Sequence, residues 1–148
     1  MADLDLINKI SWNLIDPPQE DAEIKDDNGN YRPLLPQEWQ QVVLPGQNFI
    51  IEYPFARYNE LDPEIPYETD RIPVTLLELL TTIYLFYQEP LPQDELNLIR
   101  QKASEEGDGD LYHDRPINRR IDVMYGLVEF EGVQQGTKRG TYLLNLGS

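Results

Sequence analysis

The chain has 148 residues, enough for one packed domain and too few for two robust cores, and its 40% hydrophobic and 26% charged residues are ordinary globular usage that excludes wholesale disorder. It has no cysteine, which excludes disulfides and thiolate metal sites, and its formal charge of −15 repels a phosphate backbone. The charge is uneven, because residues 1–110 carry 7 Lys and Arg against 23 Asp and Glu while 111–148 carry 5 against 4.

No apolar run approaches the roughly 20 residues of a membrane span. The opening MADLDLINK has neither the basic start nor the apolar stretch of a signal peptide. An intracellular chain with no membrane partner is expected.

The first strand is predicted over 9–15, KISWNLI, where Ile10, Trp12 and Leu14 alternate with Lys9, Ser11 and Asn13. The prolines, acids and Asn-Gly pair of 16–30 favour a mobile acidic loop. A second strand is expected through Tyr31–Leu35. Pro36 then opens a short helical turn that sets Trp39 and Val42 or Val43 on one side. The sequence NFIIEY reads as a strand. Residues 54–73, with four prolines and no sustained period, read as an extended connector between two subregions. The connector's aromatics Phe55, Tyr58 and Tyr67 are candidates for partner contact.

Residues 75–88 form the best helix, opened by Thr75 and Glu78 at capping-box spacing and apolar almost all round. Pro90 and Pro92 separate it from a surface helix, in which Asp94 and Glu95 near the start and Arg100 and Lys102 near the end suit the helix dipole. INRRIDVMYG is a short element of open type. The chain ends in a hairpin whose arms LVEFEGV and TYLLNL alternate about the loop QQGTKRG, so that Phe130, Tyr142 and Leu144 should be buried against the helix of 75–88.

Chemistry is sparse. Asp108, Asp110, His113 and Asp114 have a metal-like composition, but the sixth-position glycine and twelfth-position glutamate of a calcium loop are missing, so no metal site is expected. His113 is the single histidine, on an acidic turn. The chain shows no phosphate-binding glycine loop, nucleophile elbow or zinc spacing, so neither cofactor nor catalytic residue is assigned. Arg115, Arg119, Arg120, Lys138 and Arg139 stand apart from the acidic field. Helix, helix, short element and hairpin is also the order in the second half of many winged-helix domains. NRRIDVMY would then be the recognition element and QQGTKRG the wing, with Arg119, Arg120, Lys138 and Arg139 on phosphates. The competing reading pairs these cations with the protein's own acids.

The segment IPVTLLELLTTIYLFYQEPLPQDELNLI, with RRIDVMYGLVEFEGV and GTYLLNLGS, resembles uncharacterised proteins of large nucleocytoplasmic DNA viruses. It shares with them Phe86-Tyr87, Pro90-Leu91, the Asp122, Met124 and Gly126 turn, Phe130-Glu131-Gly132 and the Leu146-Gly147-Ser148 end. The likeness implies a viral origin, in host cytoplasm or virion, and no mechanism. Residues 32–53 are similar to the closing part of fungal ubiquitin-like domains at Pro36, Trp39, Val43, Pro45, Gly46, Phe49 and Ile51, a turn leading into a last strand.

The expected fold is α+β in one domain: a β-rich subregion 1–53, the Pro-rich connector 54–73, and 74–148 as two helices followed by a β-hairpin. The expected role is a non-enzymatic structural or accessory factor that binds another protein. The alternatives are a winged-helix-like module on nucleic acid, or an acidic DNA mimic presenting 16–30 and 60–70.

Overall fold

The computed structural model describes residues 4–44, 49–52, 64–67, 74–107, 117–124, 126–135 and 141–147. The fold is α+β. A short helix α1 (Leu4–Ile7) leads into β1 (Ile10–Ser11), which pairs antiparallel with β2 (Glu23–Lys25); β2 in turn pairs with β3 (Tyr31–Pro33). Between β1 and β2 lies α2 (Pro18–Asp21), and α3 (Pro36–Trp39) follows β3. Strand β4 (Val42–Leu44) pairs with β7 (Val74–Thr75), while β5 (Phe49–Glu52) and β6 (Glu64–Tyr67) belong to a four-stranded sheet ordered β6-β5-β9-β8. The hairpin arms are β8 (Glu129–Gln135) and β9 (Thr141–Gly147), and β9 lies parallel to β5. That sheet therefore joins strands from the middle of the chain to the C-terminal hairpin.

The long helices are α4 (Leu76–Gln88) and α5 (Gln93–Glu105). The cap of α4 forms as its spacing predicts, with the Thr75 hydroxyl accepting the Glu78 backbone N–H at 3.1 Å. Leu76, Leu79, Leu80, Ile83, Phe86 and Tyr87 of α4 are buried, and α5 buries only the stripe Leu96, Ile99 and Ala103. One hydrophobic cluster runs from Ile7 through Trp12, Val43 and these helix faces to Met124, Phe130 and Leu144.

Several expectations need correction. Burial alternates as predicted at Ile10, Trp12 and Leu14, but the regular strand stops at Ser11. The Asn13 side chain turns the chain there, its Oδ1 accepting the Ile15 N–H at 3.0 Å. Residues 16–30 are not simply loop. They contain α2, started by Pro18 in the first helical turn, and β2, held by the buried Ile24. Their turn is tied by Asp26, whose Oδ1 accepts the N–H groups of Asn28 and Asn30, both at 2.9 Å. The connector contains β6, paired antiparallel with β5, since four residues are too few to show a period.

The hairpin forms, but with a bulge between Phe130 and Val133, so that Gly132 and Val133 are both buried and Val133 pairs with Leu144. Phe130 and Leu144 are buried, whereas Tyr142 is only half-buried. The hairpin is tied through β9 to β5 and through β8 to the N-terminal segment. The Phe130 ring centroid is 5.7 Å from that of Trp12, and the Phe130 N–H donates to the Trp12 carbonyl at 2.7 Å. Val133 N–H donates to Asn8 Oδ1 at 3.0 Å and Asn13 Nδ2 to Glu129 Oε1 at 3.1 Å, so residues 8–14 cover the outer edge of β8.

Candidate functional site: a groove beside Ile15

Residues 118–120 run antiparallel to the link between α4 and α5: the Leu91 N–H donates to Asn118 O at 2.9 Å and the Arg120 N–H to Glu89 O at 3.0 Å. The chain then makes a 3₁₀ turn, Arg120–Val123, whose start is closed by Asp122 accepting the N–H groups of Asn118 and Arg119 at 2.9 and 2.8 Å. The short element whose type the sequence leaves open is this four-residue 3₁₀ turn.

The two arginines at this turn point in different directions. Arg120 is only 9% exposed. Its Nη1 lies 2.8 Å from Glu89 Oε2, its Nε 3.3 Å from Glu95 Oε2, and its guanidinium carbon 4.3 Å from the Phe86 ring centroid. The cation thus ties the end of α4, the start of α5 and the 3₁₀ turn into one unit. It is not presented to a nucleic-acid backbone. Arg119 is exposed but engaged, donating to the Gln88 side-chain oxygen and standing 3.9 Å from Asp122. Gln88 in turn donates to Leu14 O at 3.4 Å. Lys138 and Arg139, the other two cations of the nucleic-acid reading, lie outside the described residues, as do Arg115, Phe55, Tyr58 and the cluster Asp108, Asp110, His113 and Asp114. Tyr67 ends β6.

Where these contacts converge, the surface opens into a groove of about 310 Å³. Its lining includes the apolar Ile121 and Val128, the polar Gln88, Arg119 and Asp122, and Ile15. At 58% exposure Ile15 is the most exposed large hydrophobic residue among those described. The backbone on both sides of it is fixed. Its own N–H is held by Asn13, the Leu14 N–H donates to Val128 O at 2.8 Å, Trp12 Nε1 donates to Asp16 O at 2.8 Å, and the Asn13 N–H donates to Asp21 at 2.9 Å. One turn back from Gln88 on α4, Leu85 is also exposed. Sequence reasoning missed this site because its lining comes from four separated segments, and the alternation of 9–15 drew attention to the buried side chains instead of Ile15.

Two other hollows are of similar size. One, of about 340 Å³, lies along Leu77, Thr81 and Thr82 of α4, and one, of about 320 Å³, beside Trp39 with Glu20, Asp21 and Glu23. Among the described residues no group of three or more His, Cys, Asp or Glu is placed to hold a metal ion. Likewise no described helix is long and apolar enough to cross a membrane.

No family model and no solved structure matches the chain. A stretch of 90 residues is 29% identical to Protein let-99 of Caenorhabditis elegans, covering 61% of this chain and 12% of that protein. The chain is thus similar to a small part of a much longer protein.

Proposed function

We propose that this protein is a non-enzymatic binding module for another protein, and that the groove beside Ile15 is where the partner docks. The observation that supports this is a large aliphatic side chain held out in water by a turn hydrogen-bonded on both flanks. A free chain would tuck such a residue away; a pinned turn keeps it as an anchor whose ordering cost is already met by the fold. The surroundings suit a protein contact, with apolar lining residues beside groups that can still hydrogen-bond.

The test is affinity capture from native cells with wild type, Ile15→Ser and Leu98→Ser, each first shown to melt at the same temperature. Leu98 is an equally exposed leucine on α5, away from the groove. A partner retained by wild type and by Leu98→Ser and lost by Ile15→Ser is the expected result. Identical captures from all three proteins would overturn the reading.

A further inference from the structure

We infer that the groove accepts an apolar side chain carried by a cationic segment of the partner, a Leu or Phe flanked by Lys or Arg; this rests on the docking reading above. The volume of about 310 Å³ over Ile121 and Val128 is ample for such a side chain. The flanking cations follow from the charges around it. Asp16, next to the lining residue Ile15, is exposed, and Asp21 is tied to the same turn by accepting the Asn13 N–H at 2.9 Å. Glu89 is exposed at the end of α4 next to Gln88, and Glu129 begins β8 just beyond Val128.

The two described cations nearby offset Glu89 and Asp122 but make no ion pair with Asp16, Asp21 or Glu129. Arg120 is turned inward onto Glu89 and Glu95, and Arg119 is drawn to Gln88 and Asp122. With −15 on the whole chain behind it, the groove attracts a basic segment and repels an acidic one, an effect felt first in association rate and weakened by salt. The acids stay at the wet rim. Pairing with them therefore needs little desolvation, while the apolar side chain alone enters the groove.

Three labelled hexapeptide amides test this by fluorescence anisotropy: Lys-Lys-Leu-Phe-Lys-Lys, Glu-Glu-Leu-Phe-Glu-Glu and Lys-Lys-Ser-Ser-Lys-Lys. The first should bind at least about tenfold more tightly than either of the others, about 1.4 kcal/mol. Ile15→Ser should weaken it several-fold and Leu98→Ser should not. Added salt should weaken it further. If the glutamate-flanked peptide binds as well or better and still depends on Ile15, the cationic partner is wrong and the docking groove stands. If no peptide responds to Ile15→Ser, the groove itself is not the docking site. Displacement of the lysine-flanked peptide by duplex DNA at physiological salt would assign the surface to nucleic acid and overturn both.

Discussion

At the scale of single residues, two neighbouring arginines with the same formal charge have unequal roles. Arg120 is enclosed between two carboxylates and an aromatic ring, and its removal strips the partners from groups that are partly desolvated. Glu89 can still reach water, so Arg120→Ala should cost about 2 to 3 kcal/mol, less than a fully buried pair, while Arg119→Ala should cost under about 1 kcal/mol. Denaturant titration of both variants checks this, and equal losses would contradict the assigned roles. Acid sensitivity has a local source in Glu38. The bidentate bond from Arg32, at 2.8 and 2.9 Å, holds the Glu38 carboxyl below the ordinary glutamate range, aided by the Leu35 N–H and opposed by partial burial. A depressed folded value contributes stability that is present above the unfolded value, roughly 4.3, and is lost as pH falls through the folded one. Arg32→Met should raise the Glu38 titration midpoint measured by carbon NMR; an unmoved midpoint would show that the pair does not hold in solution.

Among the elements, what was legible in the sequence was whatever a local pattern fixes. Thr75 and Glu78 placed the start of α4, Pro36 placed α3, and the alternating arms placed β8 and β9. The elements of 16–30 were not legible, because α2 and β2 are three or four residues long and β2 depends on its partners β1 and β3. The bulge was likewise hidden. It rests on Gly132 at φ +92°, where an added Cβ would run into the carboxamide of Asn8, the group that accepts the Val133 N–H. Gly132→Ala combines backbone strain with that lost bond and should lower stability by about 2 to 3 kcal/mol in thermal or denaturant unfolding. A neutral effect would mean that the hairpin can slide into an unbulged register.

For the whole molecule, the α+β class and the order of helices and hairpin could be read from sequence, but the assembly could not. Periodicity says which face of a strand is apolar and not what that face meets. Alternation predicts that Phe130 is buried, but that its ring meets Trp12 is not legible in it. The same long-range closure creates the groove, since Ile15 and Val128 are brought together only when the Leu14 N–H finds the Val128 carbonyl. The measurement that bears most directly on the central claim is a nitrogen-15 amide map of the intact chain titrated with the lysine-flanked peptide. Shifts concentrated at residues 13–16, 88–89, 119–122 and 126–128, and absent from the Ile15→Ser protein, are the predicted result. Shifts that spread over the acidic surface without regard to the groove, or that persist in Ile15→Ser, would contradict it.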